Sequence, residues 1–577
     1  MTNQSPMSFN TRAPNPLKPL LAACVLALSP WSLAIADVAH DTGSILQQMQ
    51  EVAPAQPSSN DTGLKIEPPA AAKLPMSEAF EVKIIELSGN HAFTTEVLLA
   101  LVANAIGTKI TLPQLDALAT RITDYYHSHG YPLARAYIPA QTIASGTVRI
   151  EILEAHYGTI NLDNHSQVID SLLQATLAPL QSGQPITQSK MDNALLLLSD
   201  IPGVSSLATL KPGAEVGSSN LDIKVQATPR LSGNLSVDDY GNRYTGRVRG
   251  GATLDINNAL HIGDVLSLSG MTAGDNMNYG RFSYEALLNG KGTRLGASYF
   301  ILNYVLGDTM QALNASGTAQ IASTWAKQPL LRSRNLNFFG QVQYDHLQLN
   351  DTIGVGDIQT YRHVDGGTAT ISGDARDNVL MGATNTWNAS WTGGKVGFDN
   401  SAAQAADAAT KNSQGLFSKV NLNLSRLQNL TEKAGLYASF TGQWAQDNLD
   451  SSKKMIVGGP YSVRAYDMGA LSADSGYLGS VELRHLLADG RFGLWQAVGF
   501  VDSAQVTINQ TTWDGGTNKA SLSGAGGGIN WLAPKTHSLI PTQLHARAYV
   551  ATPIGSVPSL VGTTNSTRAW LEFGVGF

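Results

Sequence analysis

The residues best placed to do chemistry in this chain are charged groups set in alternating, largely apolar text, and the chemistry open to them is ionic. Arg464 lies in the run Gly458 to Gly476, GGPYSVRAYDMGALSADSG, between segments that alternate apolar and polar residues. Asp502 follows Phe500 by two residues, and Glu482 and Arg484 share a parity opposite to Val481 and Leu483. In a strand that spacing puts each pair on one face. A guanidinium and a carboxylate so placed can form charge-assisted, bidentate hydrogen bonds. The run around Arg464 reads as a loop, and loops of this length are uncommon unless functional or disordered. A solvated surface loop with its arginine in water is the competing reading. No covalent chemistry is indicated: there is no nucleophile with a base at motif spacing, no phosphate loop and no cluster of metal ligands. An enzyme is therefore not expected, and neither a cofactor nor a metal.

The elements that must position these groups follow from composition and pattern. The chain has 577 residues, too many for one ordinary core, so several domains or a very large β unit are expected. Charged residues are 14%, against roughly 25% in typical soluble domains, while there are 56 glycines and 43% hydrophobic residues. That balance suits a sheet-rich membrane protein. A net charge of -6 and the lack of a basic stripe argue against nucleic acid as a partner.

Arg12 and Lys18 precede an apolar run, Pro19 to Ala36, that ends Ala34-Ile35-Ala36. This reads as a secretory signal peptide over residues 1–36. A lipoprotein box at Leu21-Ala22-Ala23-Cys24 competes, but the apolar segment runs well past Cys24. Since Cys24 is the only cysteine, cleavage at Ala36 leaves a thiol-free chain with no disulfide or cysteine metal site. Further on, no apolar run approaches the roughly 18 residues of a membrane helix, so any span must be a closed barrel.

In residues 37–55, Ile45, Leu46, Met49 and Val52 are spaced for one face of a short helix. A Pro- and Ala-rich linker over residues 56–78 follows, without periodicity. Residues 79–155 then give the order strand, helix, helix, strand, strand. Thr94 to Ile106 reads as the first helix and Leu112 to His129 as the second, stopped by Gly130. Residues 156–228 repeat that order, with helices near Val168 to Leu177 and around Met191 to Leu198.

From residue 229 to 577 the text is strand and turn. Leu336, Phe338, Val342 and Tyr344 share one parity, as do Trp387, Ala389 and Trp391, and Val420, Leu422 and Leu424. Period two with one apolar face fits strands with lipid on one side and water on the other, and at roughly 20 residues per strand and connection the region suits a barrel of about 16 strands. A β-sandwich would alternate too, but would be shorter. The last strand carries Ala569, Leu571, Phe573, Val575 and Phe577 on one face. Phe573 and the terminal Phe577 resemble the signal by which outer-membrane barrels are recognised for insertion by the barrel-assembly machinery.

Taken together, the signal, helix, linker, paired modules, barrel and loop resemble the two-partner secretion transporters, the haemolysin activator or haemolysin secretion family of POTRA-containing outer-membrane barrels. The loop matches that family's Val-Arg-Gly-Tyr motif at Val463, Arg464 and Tyr466, with Ala465 for the usual Gly. A Phe-x-Asp-x-Gly strand motif is matched by Phe500 and Asp502, with Ala504 at the last position. The resemblance implies two POTRA-like β-α-α-β-β modules in the periplasm, a transmembrane antiparallel barrel and an inward loop over residues 447–476. It also implies that Arg464 pairs with Asp502 inside the barrel and that the N-terminal helix plugs the lumen at rest. Glu482 and Arg484 are expected to face the lumen, because charge facing lipid is costly. Gly524, Gly526 and Gly528 share a face that leaves room for another backbone.

The implied function is a protein-conducting pore of a Gram-negative outer membrane that secretes a large β-rich exoprotein, of haemolysin or adhesin type. Whether export activates the partner stays open. Tyr125, Tyr131, Ala136 and Ile138 are candidates for docking the exoprotein by strand addition; core packing is the bland reading of the tyrosines. A factor that assembles other barrels is an alternative, though such factors usually carry more POTRA modules. A passive porin would need no modules.

Overall fold

The computed structural model describes residues 41–49, 57–67, 77–143, 145–513, 515–536, 542–562 and 565–577. The signal peptide expected over residues 1–36 and parts of the linker lie outside them.

The chain begins with helix α1 (Thr42–Met49), followed by a three-residue strand β1 (Leu64–Ile66). The first module holds β2 (Phe80–Glu81), β3 (Ile84–Ser88), α2 (Thr95–Ala100), β4 (Lys109–Ile110), α3 (Leu112–Ser128), β5 (Arg135–Tyr137) and β6 (Thr147–Leu153). Its main sheet has the order β3-β6-β5. Helix α3 forms because Thr111 and Gln114 close a capping box at its start, and Gly130 lies beyond its end at φ +87°. Leu115, Leu118, Ala119, Ile122 and Tyr126 make its buried stripe. The single helix expected over Thr94 to Ile106 is not formed. α2 stops at Ala100, and a 3-10 turn, Ala103–Ala105, finishes the segment. Leu101 N–H donates to the Leu98 carbonyl and Val102 N–H to that of Leu99, a tightening common at helix ends that only backbone geometry reveals.

The second module repeats the design with β7 (His156–His165), α4 (Asp170–Leu177), α5 (Gln188–Ser199), β8 (Val204–Pro212) and β9 (Ser218–Ala227). Its sheet is four-stranded, because β1 joins the edge in the order β1-β8-β9-β7. Part of the stretch read as featureless linker is thus a strand, parallel to β8 with Leu64 opposite Ala208. Leu64 packs against the module's apolar core. Three residues amid Pro and Ala are too few to show a period.

Sixteen strands, β10 (Leu231–Asp238) to β20 (Ala434–Ala445) and β23 (Ser475–Gly490) to β27 (Arg568–Gly576), form a closed antiparallel barrel. Closure pairs β10 with β27, Leu235 opposite Val575, and so excludes the sandwich. Val342, Val481, Val501, Leu571 and Phe573 are all at least half exposed on the outer face, the apolar outward parity of a membrane barrel. The second module is fastened to the barrel by Arg332, which is 1% exposed and donates Nε and Nη2 to Asp200 at 2.7 and 2.9 Å.

Candidate functional site

Two groups of side chains fill and hold the lumen. The loop between β20 and β23 folds inward as a hairpin of β21 (Met455–Val457) and β22 (Leu471–Ala473). It reverses at Gly458, whose φ of +100° and 2.4 Å approach of an added Cβ to the Asp467 carbonyl admit only glycine. At its tip Val463, Ala465 and Tyr466 are buried in an apolar cluster with Phe500, Ala504 and Leu522. The wall is supplied by β24 (Gly493–Thr507) and β25 (Lys519–Leu532).

Arg464 is 4% exposed and Asp502 0%. The guanidinium donates Nε to Asp502 Oδ2 at 2.8 Å and Nη2 to Oδ1 at 2.7 Å, a bidentate fork. Nη1 donates to Glu482 Oε1 at 2.6 Å, and the Arg464 backbone N–H reaches Asp502 Oδ2 at 3.1 Å. The guanidinium carbon lies 3.4 Å from the centroid of the Phe500 ring, and Trp570 Nε1 donates to the Arg464 carbonyl at 2.7 Å. Arg484 bonds the other oxygen of Glu482 at 2.6 Å. Two cations and two carboxylates therefore balance in one centre. Ala465 fits because it faces Gly524, where an added Cβ would stand 2.4 Å from the Ala465 methyl. The methyl that replaces the family's usual glycine is offset by a glycine on the wall.

The second centre gathers around the helix that the resemblance implied as a plug, but its ion cluster has no counterpart in the sequence reading. Helix α1 lies inside the barrel with Ile45 and Leu46 at 2% and 0% exposure, packed beside Leu302, Leu349 and Val364. Arg362, on β17 (Ile358–Asp377), donates Nη2 to Asp41 at 2.7 Å and Nη1 to Asp351 at 2.8 Å, and its Nε lies 2.7 Å from Asp450. Those carboxylates come from the helix start, from β16 (Leu336–Ile353) and from the loop. Asp351 also accepts from the Thr42 N–H at 2.8 Å, from the Thr42 hydroxyl and from Tyr304 at 2.7 Å. Asp41 caps α1, accepting the Ser44 N–H at 3.0 Å. Gly43 lies flush against Ser451 and Ser452 of the loop, so no side chain fits there. Inward parity was the only available signal for Arg362 and Asp351, and it does not name partners.

The expected docking residues lie elsewhere, on the first module. Tyr125 and Tyr131 surround Phe93 edge-on at 5.1 and 5.7 Å, with Tyr126 at 4.9 Å. Burial, and then the Tyr126 hydroxyl bond to Glu154 at 2.6 Å, raise the Tyr126 pKa above its ordinary value, so the phenol stays a donor. Ile138 is partly buried against the same core. Ala136 is 6% exposed, so its methyl cannot meet a visiting chain. Moreover, the Ala136 N–H donates to the Thr123 hydroxyl of α3 at 2.9 Å, and His127 Nε2 lies 2.9 Å from the Ala134 carbonyl. The helix's own side chains occupy groups that strand addition would use. Phe573 is 50% exposed on the outer face, and Phe577 exchanges backbone hydrogen bonds with Gly233 at the barrel seam.

The family model for the haemolysin secretion/activation protein ShlB/FhaC/HecB matches residues 217–531, and that for the POTRA domain, ShlB-type, matches residues 80–155. The chain belongs to this family of secretion transporters. It is 30% identical to the heme/hemopexin transporter protein HuxB of Haemophilus influenzae over 78% of this chain and 80% of that one. It is 21% identical to the outer membrane transporter CdiB of Escherichia coli O6:K15:H31 over 79% and 78%. The solved structure of CdiB from Escherichia coli superposes with a TM-score of 0.67 at 18% identity, covering 99% and 100%, and shows the shared fold. As a member of the family, the protein is an outer-membrane two-partner secretion transporter, with its POTRA modules in the periplasm and a barrel through which an exoprotein is secreted.

Proposed function

We propose that the described arrangement is the closed state of the transporter, in which α1 and the inward loop stop the pore, and that export begins when α1 leaves while the Arg464 centre keeps the loop on the wall. The observation that carries this reading is how α1 is held: a few polar bonds through Asp41 and Thr42, in addition to the apolar seat of Ile45 and Leu46. Such attachments are individually worth about 1–3 kcal/mol and are exchangeable with water. Deleting residues 41–49 should turn a nearly silent channel in planar bilayers into an open one, and an unchanged conductance would refute the plug role.

The exoprotein first meets the first module, around Tyr125, Tyr131 and Ile138, whose side chains are only partly buried. Removing residues 80–153 should abolish export while the barrel still inserts. Transport uses no covalent step. During biogenesis Phe573 and Phe577 present the last strand to the barrel-assembly machinery, and the exposed outer residues then meet outer-membrane lipid.

The match to a heme/hemopexin transporter at 30% identity, against 21% for the CdiB relative, favours an exoprotein of the haem-acquisition class. Retention of the secreted protein on immobilised haem–haemopexin tests that choice.

A further inference from the structure

The barrel wall is tallest between β14 (Arg294–Val305) and β18 (Ala383–Phe398), where β15 (Ala315–Arg332), β16 and β17 have 18, 18 and 20 residues. Arg332, held by the second module, marks the periplasmic end of β15, so the connections after β14, β16 and β18 lie at the cell surface. Along β16 the outward side chains change character. Val342 and Tyr344, 60% and 49% exposed, belong to the apolar belt, and the outward positions that follow are His346, Gln348, Asn350 and Thr352. Register carries the change to the neighbouring strands: Asn350 stands opposite Thr318 on β15 and Tyr361 on β17, and Thr318 opposite Asn303 on β14.

These residues line a groove of about 710 Å³ on the outside of the barrel. Its lining holds amides and hydroxyls, and no Lys or Arg. Among the described residues the side chains of Asn303, Ser316, Gln348 and Thr352 have no hydrogen-bond partner, and Asn350 has only a 3.5 Å bond to Thr318. The nearby carboxylates are engaged: Asp399 meets His363 Nδ1 and Asp365 meets His346 Nδ1, each at 2.8 Å. The height of the groove excludes an ordinary phospholipid. Gln348 lies about 13 Å and Thr352 about 27 Å beyond Tyr344 along the strand. A strand tilt of roughly 40° places them about 10 and 20 Å above the aromatic level. Phospholipid headgroups extend only about 5–8 Å past the hydrocarbon core, so a lipid that fills the groove needs a headgroup of several linked polar units.

We propose that this groove binds the saccharide headgroup of an outer-leaflet glycolipid. Each sugar hydroxyl both donates and accepts, and it meets side chains that do both: the amides of Asn303, Gln348 and Asn350 and the hydroxyls of Ser316, Thr318 and Thr352. The half-buried Tyr361, its hydroxyl tied to Gln359 at 2.9 Å, offers a ring face to the apolar side of a sugar. The lipid's acyl chains then lie against the belt at Val342 and Tyr344, directly below the groove. Occupancy holds the tall side of the barrel at a fixed depth in the outer leaflet. This inference rests on the outer-membrane placement of the barrel and not on the export reading.

The test uses the full-length transporter and two probes: lipopolysaccharide carrying its core oligosaccharide, and the acylated anchor left when mild acid removes that oligosaccharide. Native mass spectrometry should show the intact glycolipid binding about tenfold more tightly than the anchor. The double variant Asn303→Ala, Gln348→Ala changes two exposed side chains and should weaken the intact glycolipid about tenfold while leaving the anchor unchanged. Heat-dependent gel migration checks that the variant barrel is folded. In whole cells a photo-crosslinking residue at Gln348 should give an adduct that carries saccharide. Equal binding of intact glycolipid and anchor, or a folded double variant that binds the intact glycolipid as the unsubstituted chain does, would overturn the proposal. So would a crosslink at Gln348 to protein alone, the exoprotein included.

Discussion

The two arginine centres of the lumen use the same chemistry to opposite ends. At Arg464 two guanidinium groups, counting Arg484, meet two carboxylates, and the aromatic face of Phe500 and the Trp570 indole enclose them. At Arg362 one guanidinium is shared by three carboxylates from three segments, one of them at the start of a helix of only eight residues. The first centre closes on itself when made. The second can lose its Asp41 arm with α1 while Arg362 keeps Asp351 and Asp450, so it is opened by letting the helix go rather than by unfolding the barrel.

The largest expected effect is therefore at Arg464. Arg464→Ala strands Asp502 and Glu482 in a buried site and should destabilise the barrel by about 3–5 kcal/mol, read as a lower unfolding temperature of the folded species on semi-native gels. Asp502→Ala should resemble it, and the double variant should cost less than the sum; additive behaviour would show that the contact is not the source of the effect. Next is Gly524→Ala, whose methyl collides with that of Ala465. It should cost about 1–3 kcal/mol by overpacking, and Ala465→Gly in the same chain should restore the stability.

Arg362→Ala should leave the unfolding temperature close to normal and instead open the channel. A shift of about 1–3 kcal/mol would change the ratio of unplugged to plugged pores roughly five- to 150-fold, measurable as open probability in bilayers. A large fall in unfolding temperature without channel opening would erase the distinction between the centres. The smallest effect is Asp41→Asn, which keeps the helix cap but removes one charge, and should raise open probability by less than Arg362→Ala.

These centres were unequally legible in the sequence. Arg464 and Asp502 stand out because a loop motif and a strand motif survive with only Ala465 and Ala504 changed, and because parity puts Asp502 with Phe500. Gly524 could be picked for its close approach from parity alone. Arg362, Asp351 and Asp450 could not be paired: their contact needs the barrel to curl and a distant helix to enter it, and nothing local records either event. The outward alternation that announced the barrel spans strands of up to twenty residues, whereas β1 has three. Ala136 was named for docking from its place in a strand of the first module; its burial, and the bonds of Thr123 and His127 to that strand, depend on a helix folded against it and have no local signal.

The three-residue strand on the second module also sets how far the plug can travel. With Leu64 pinned, and with Ser58 N–H bonded to Asp374 at 3.1 Å and the Ser59 carbonyl to Arg332 at 2.8 Å, the leash is residues 50–57, which fully extended span at most about 30 Å. A helix released from the lumen therefore remains close to the pore mouth at an effective concentration in the millimolar range, and re-entry is a local event that needs no search. Releasing the strand together with these two barrel contacts lengthens the leash and dilutes the plug, so the time a pore stays open is set as much by the segment that anchors the helix as by the helix itself.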